Sequence, residues 1–135
     1  MKRTLLPLLT VLCLSSPALV AAQSLECPEP APVFTEAGAH DFDLQQLAQR
    51  VGTADLDGQS LGTIAKEIRS EYPDAKDADV ADIMITAFCN YLNTNAPSDH
   101  RSEANVAAFE NQVYDAVFGG APAKTYKRQG WLYGN

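Results

Sequence analysis

Residues 77–94 carry the pattern that most constrains the fold of this chain. Their apolar residues recur at intervals of three and four, the spacing that places side chains on one face of an α-helix. This apolar face comprises Val80, Ile83, Met84, Ala87, Phe88, Tyr91 and Leu92. Asp77 and Asp79 precede it, where carboxylates oppose the positive end of the helix dipole, and residues 93–97 end the pattern. So wide an apolar face predicts the core helix of the domain.

Three further segments share this helical period, over residues 42–52, 60–72 and 98 or 102–118. The expected caps and stops are Asp41 or Asp43 with Gly52, Ser60 with Pro73, and Ser98 or Ser102 with Gly119 and Gly120. No segment shows the alternation typical of a strand. We therefore predict an all-α domain over residues 42–120, a compact bundle of about four amphipathic helices.

The N-terminal 22 residues have the pattern of a secretory signal peptide. Lys2 and Arg3 precede an apolar run over residues 5–14, and small residues lead up to Ala22. The run is shorter than the ~20 apolar residues that a membrane-spanning helix needs. We expect cleavage after Ala22 and a periplasmic or secreted mature protein.

Acidic residues dominate the charge of the chain, with 17 Asp and Glu against 10 Lys and Arg. Loss of Lys2 and Arg3 with the signal peptide lowers the basic count to 8 and the formal charge from −7 to −9. Such a charge repels nucleic acids and anionic membranes. We expect no nucleic-acid partner and no membrane span.

The cysteine count becomes even when the signal peptide is removed. Cys13 leaves with it, and Cys27 and Cys89 remain in an oxidising compartment. We predict a disulfide between them. On the chain-entropy model, a loop of this length destabilises the unfolded state by roughly 4 kcal/mol. The alternative, a redox or metal-binding thiol pair, lacks a Cys-x-x-Cys motif.

Residues 23–41 form a proline-rich segment between the signal peptide and the first predicted helix. Pro28, Pro30 and Pro32 lack backbone donors and favour an extended path. We predict an extended arm without a helix, which the Cys27 disulfide holds along the surface of the domain. The alternative is a flexible linker.

The stretch from Thr53 to Gly58 resembles an EF-hand calcium loop, because Asp55 and Asp57 alternate before a glycine. Thr53 replaces the usual first Asp, and the twelfth position, which should supply a bidentate Glu, is Ile64. We therefore interpret the stretch as a turn between helices. No metal ion is expected.

Other polar residues suggest only weak candidate sites. Six acidic residues crowd residues 67–82, which is typical of a solvated loop with capping carboxylates but also allows a docking face for a basic partner. His40 and His100 could bind a metal or haem, with Tyr91 or Tyr114 as a second ligand. No metal-binding spacing supports this, so exposed loop histidines are the simpler interpretation. No catalytic signature is present, and no cofactor is expected.

Residues 121–135 form an aromatic and basic tail. Its candidate partner-binding residues are Tyr126, Lys127, Arg128, Trp131 and Tyr133. Aromatic and basic side chains are frequent interface anchors. The alternative is that Trp131 and Tyr133 fold back and cover the end of the bundle.

The layout of a signal peptide, an acidic helical domain and two distant cysteines resembles that of the small periplasmic acid-resistance chaperones, whose cysteine spacing is shorter. The resemblance implies that protonation in acid loosens the bundle and exposes apolar faces, including those of Ile83, Phe88, Phe109 and Val113, to unfolding clients. We expect a non-enzymatic protein that binds another protein, as a stress chaperone or an inhibitor. The alternatives are a carrier of haem or another small apolar ligand, and a small hydrolase or accessory subunit of an envelope enzyme.

Overall fold

The computed structural model describes residues 23–36, 42–54 and 60–119. Every regular element in these residues is helical, which confirms the predicted fold class. The elements are α1 (Pro32–Thr35), α2 (Leu44–Gly52), α3 (Leu61–Glu71), α4 (Asp77–Thr94), a 3₁₀ turn (Ser98–His100) and α5 (Glu103–Phe118). The predicted signal peptide and the tail lie outside the described residues.

Polar side chains cap the N-termini of α2, α3 and α5. The bonds run from Gln46 N–H to Asp43 Oδ1 (3.0 Å), from Thr63 N–H to Ser60 Oγ (3.2 Å) and from Asn105 N–H to Ser102 Oγ (3.2 Å). Each bond satisfies a backbone donor that has no partner within its own helix. Of the predicted alternatives, Asp43 and Ser102 are therefore the caps.

Two glycines that were expected to end helices behave differently. Gly119 has φ 70° and ends α5 in the left-handed conformation that favours glycine, as predicted. Helix α2 also ends at Gly52, as predicted, but here the glycine is the last helical residue and Thr53 is the C-cap. Thr53 closes this helix because its N–H and its hydroxyl both donate to the carbonyl of Gln49, at 3.1 and 2.7 Å.

Helix α4 is the core of the bundle, as its pattern predicts. It makes its most extensive contacts with α2 and α5, and it also packs against α3. Its buried residues extend beyond the predicted face to Ala81, Ile85 and Thr86. A helix with neighbours on several sides buries more than one stripe, which explains why residues 80, 81 and 83–87 are all buried.

The predicted disulfide between Cys27 and Cys89 is present, with Cα atoms 5.7 Å apart. Cys89 is fully buried on α4, and Cys27 is half-buried in the extended arm. The disulfide therefore joins the arm covalently to the core helix.

Asn93 holds the same part of the arm through hydrogen bonds. Its Oδ1 accepts from the backbone N–H of Leu25 at 2.8 Å, and its Nδ2 donates to the carbonyl of Leu25 at 2.8 Å. One side chain thus satisfies both backbone groups of a residue that lies 68 positions earlier. The arm is therefore attached to α4 at Leu25 and at Cys27, and this part of it is not a flexible linker.

The arm is not extended throughout, so the prediction that residues 23–41 contain no helix is wrong for α1. Pro32 is the first residue of this helix, where a missing N–H costs nothing. Phe34 in α1 is 1% exposed and packs against Tyr72 and Phe42, with ring centroids 5.1 and 5.4 Å away. Burial of this aromatic ring explains why one helical turn forms here.

Within the described part of the chain, none of the helices is both long enough and apolar enough to cross a membrane.

Candidate functional site

A groove of about 680 Å³ lies between the C-terminal ends of α2 and α4 and the first half of α5. We call it the aromatic groove. Its lining includes the rings of Phe88, Tyr91 and Phe109. Its other described lining residues are Val51, Gly52, Ala54, Leu61, Leu92, Ala96, Pro97, His100, Asn105, Ala108 and Gln112. The volume is typical of a cavity that holds a small molecule or a few side chains.

The aromatic rings of the groove are stacked. The centroids of Phe88 and Phe109 are 3.9 Å apart with ring planes at 11°, and those of Phe88 and Tyr91 are 6.3 Å apart at 22°. Phe109 is buried, whereas Phe88 and Tyr91 are only half-buried. Part of the surface of these two rings is therefore available to another apolar or aromatic group.

Gly52 allows α2 to approach the ring of Tyr91. A Cβ atom at position 52 would collide with three carbon atoms of that ring. Gly52, the last residue of α2, is therefore required for a close contact with the Tyr91 ring. The contact also fixes the Tyr91 ring as one wall of the groove.

The rim of the aromatic groove is polar but nearly uncharged. His100, Asn105 and Gln112 are exposed lining residues. Asn105 Nδ2 donates to the carbonyl of His100 at 2.8 Å, which fixes the 3₁₀ turn against α5. Apart from the imidazole of His100, no described lining residue has an acidic or basic side chain. The groove can therefore offer apolar contact and a few hydrogen bonds, but no strong ion pair within its lining.

Charged residues of both signs adjoin this rim in the chain, including Arg101, whose Nε donates to the carbonyl of the lining residue Leu92 at 3.1 Å. Asp99 precedes His100, and Glu103 lies two residues before Asn105; both are exposed. The wider domain is also acidic, because residues 23–120 hold all 17 acidic residues, whereas two of the 10 basic residues precede them and three follow them. The groove is thus an uncharged apolar surface within an acidic one.

The structure brings only some of the predicted site residues together. His100 and Tyr91 line the same groove, and His100 is exposed. Tyr114 is buried away from that lining, and its hydroxyl donates to the carboxylate of Glu110. His40, the loop of Asp55 and Asp57, and the tail residues Tyr126, Lys127, Arg128, Trp131 and Tyr133 lie outside the described residues.

Several carboxylates of the 67–82 cluster have structural partners. Glu67 forms an ion pair with Arg50, Asp77 lies 2.8 Å from Arg69 Nη2, and Asp79 accepts from the N–H of Lys76 at 2.9 Å. These contacts link α2 to α3 and α3 to α4, and they cap α4. In the described ranges, no group of three or more His, Cys, Asp or Glu side chains is arranged to hold a metal ion.

Sequence reasoning missed the groove although it named several of its residues. The sequence patterns place Phe88 and Tyr91 on the wide apolar face of α4 and interpret Gly52 as a helix stop. The one available signal was that Phe88 and Tyr91 are large rings on a helix whose apolar face was already wide. Their association with Leu61 and Asn105 depends on how the helices pack, which no local pattern contains.

Comparison with known proteins gives no match to this chain among family models, curated proteins or solved structures.

Proposed function

We propose that this protein is an exported, non-enzymatic binding protein whose aromatic groove takes an aromatic and basic segment of a partner polypeptide. The observation that carries the proposal is the half-buried pair Phe88 and Tyr91 in a concave, nearly uncharged lining. Aromatic rings that remain accessible in a cavity are favourable anchors for a partner's apolar side chain. Grooves between helices commonly bind peptide segments in this way.

The charge distribution argues for basic residues beside the apolar anchor of the partner. Asp99 adjoins the rim residue His100 in the chain, and residues 23–120 hold 17 acidic side chains against five basic ones. A partner with Lys or Arg beside its aromatic residue would gain from this potential, mainly through faster association. An acidic partner would be repelled.

Export is part of the proposal. Its support is the signal-peptide pattern of residues 1–22 together with the Cys27–Cys89 disulfide. Structural disulfides persist in oxidising compartments, such as the periplasm and the extracellular space, and they are rare in the cytosol.

The stress-chaperone and inhibitor forms of this function differ in when the binding surface is available. An inhibitor presents the aromatic groove in the folded protein at neutral pH. A stress chaperone gains its main surface only after acid loosens the bundle. Because the described residues form the groove in the folded protein, we favour binding at neutral pH, and an increase in peptide binding confined to acid would favour the chaperone form.

A second candidate function is the carriage of haem or another flat apolar ligand. His100 and Tyr91 line one groove, and either side chain can ligate haem iron. A hemin titration followed by absorbance tests this candidate. A Soret shift that His100→Ala removes would favour the carrier, and an unchanged hemin spectrum would exclude the haem version.

The test of the main proposal is binding of a short fluorescein-labelled peptide that alternates tryptophan and lysine, measured by fluorescence polarisation. We expect saturable binding that Ala108→Arg weakens at least tenfold, because an arginine at this exposed lining position obstructs the groove and repels the lysines. Asn111→Arg is the matched control, since Asn111 is exposed on the same helix but is not a lining residue. Equal affinity of both variants would contradict the proposal, as would equal binding of a peptide with glutamate in place of lysine.

A further inference from the structure

We infer that the tail, residues 121–135, occupies the aromatic groove of its own chain in the absence of a partner, with Trp131 against the rings of Phe88 and Tyr91. The inference rests on the proposed function, because it names what covers the same groove before a partner binds. Three observations support the inference: the chemistry of the tail, the charge of the domain, and the position and direction of the end of α5.

The composition of the tail matches what the groove can bind. It contains the only tryptophan of the chain, Trp131, together with Tyr126, Leu132 and Tyr133. The lining of the groove is aromatic and aliphatic, with accessible ring surface on Phe88 and Tyr91. An indole ring can stack on such rings, and its N–H can reach a polar rim group such as Asn105 or Gln112.

Charge complementarity favours the same contact. Lys124, Lys127 and Arg128 give the tail three basic residues and no acidic residue. The rest of the chain after residue 22 holds 17 acidic residues against five basic ones, since two of the 10 basic residues precede it. Asp99, next to the lining residue His100 in the chain, carries part of that negative charge. The tail therefore has the aromatic and basic character that we propose for an external partner.

The tail starts close enough to reach the groove. It follows Gly119, and Phe109 lies ten residues earlier on the helical path, about 15 Å along α5 at 1.5 Å per residue. Trp131 lies twelve positions after Gly119, and an extended chain of that length spans up to about 40 Å. Gly119 at φ 70° also turns the chain off the helix axis, so the path back along α5 needs no break in the helix.

A tail in the groove would act as a tethered competitor. A segment attached by a short linker has an effective local concentration in the millimolar range, so even weak contacts keep it bound. An external segment must displace the tail. The apparent affinity of that segment is its intrinsic affinity multiplied by the fraction of molecules whose groove is open. The tail would thus set a threshold for partner binding.

Fluorescence of Trp131 tests the inference directly, because no other tryptophan contributes to the signal. In residues 23–135 with the disulfide intact, we expect emission at shorter wavelength than in the urea-unfolded protein. Ala108→Arg should return the emission towards the unfolded position and raise acrylamide quenching several-fold. Asn111→Arg should leave both unchanged. Gln112→Arg provides a second obstruction of the groove if Ala108→Arg lowers the urea midpoint.

Three results would overturn the inference. Emission of the parent protein at the unfolded position would show an exposed tail. Emission at shorter wavelength that neither groove variant changes would place the tail elsewhere, such as over the end of the bundle. A shift that disappears on dilution would place the tail on a second copy of the chain.

The peptide assay separates this inference from the proposed function. If Trp131 is exposed while the labelled peptide still binds and Ala108→Arg blocks it, the tail inference fails and the function stands. If Ala108→Arg shifts the emission of Trp131 but the peptide binds neither the parent nor Trp131→Ala, the tail inference stands and the partner proposal fails. If both are correct, Trp131→Ala binds the peptide more tightly than the parent does.

Discussion

A Cβ atom on Gly52 would collide with the ring of Tyr91, so α2 and α4 can approach each other as they do only with glycine at this position. Gly52 and Tyr91 both line the aromatic groove, so the identity of residue 52 affects the shape of the groove. Gly52 therefore ends α2, as its sequence position predicts, and is also a packing residue.

Substitution of Gly52 by alanine should therefore destabilise the protein, against the usual trend. Gly→Ala within a helix normally stabilises by roughly 0.5–1 kcal/mol. Here we expect a loss of about 1–3 kcal/mol in the free energy of unfolding, the usual cost of overpacking. Urea denaturation measures this change.

Gly62→Ala in α3 is the matched control for this prediction. A Cβ atom at position 62 would meet only Ser60 Oγ, at 3.9 Å, which is ordinary contact. We expect Gly62→Ala to be as stable as the parent or slightly more stable. If Gly52→Ala behaves in the same way as Gly62→Ala, the close contact with Tyr91 does not exist.

Removal of the disulfide should cost a large part of the stability. The double substitution of Cys27 and Cys89 by alanine frees a loop with a sequence separation of 62 residues. The chain-entropy model gives a loss of about 4 kcal/mol, which urea denaturation measures. Thiol titration of the unreduced, unfolded chain from residue 23 onward should detect no free thiol. Two reactive thiols would contradict the disulfide.

Asn93→Leu should loosen the arm without breaking the disulfide. This variant loses both hydrogen bonds to the backbone of Leu25, and each is worth about 1 kcal/mol. Asn93→Asp keeps the acceptor but loses the donor, and we expect about half of the effect at neutral pH. Hydrogen exchange of the Leu25 amide should rise in Asn93→Leu. Unchanged exchange there would show that the disulfide alone holds the arm.

Arg69 should contribute more to stability than Arg50, although both side chains are 33% exposed. Among the described residues, Arg50 pairs with Glu67 alone, and exposed pairs are worth about 0–1 kcal/mol. Arg69 pairs with Asp77 and also donates to the carbonyl of Val117 at 3.0 Å, which adds a bond worth about 1 kcal/mol. We expect Arg69→Met to lower the urea midpoint more than Arg50→Met. The reverse order would contradict the role of the Val117 contact.

The features that the sequence predicts are those that depend on residues close together in the chain. Spacings of three and four predict α2 to α5, and Asp43, Ser60 and Ser102 cap three of them as their residue types suggest. The disulfide follows from an even count of cysteines. Helix α1 was missed because its stability depends on Phe34, a single aromatic side chain that packs against residues much later in the chain.

The groove was not predictable in this way. Its lining comes from α2, α3, α4, α5 and the turn before α5, so it exists only after the helices pack. The hydrogen bonds between Asn93 and Leu25 have the same character, because 68 positions separate the two residues. Local periodicity identifies which residues are apolar, but it does not identify which of them remain accessible.

The most direct test of the central claim is a map of backbone amide chemical shifts during titration with the tryptophan–lysine peptide. We expect the largest changes at groove residues such as Phe88, Tyr91, Ala108 and Gln112. Lys66 and Ser70, which are exposed on α3 and absent from the groove lining, should not move. Saturable changes centred on α3, or no changes in the groove residues at saturating peptide, would contradict the claim that the aromatic groove is the binding surface.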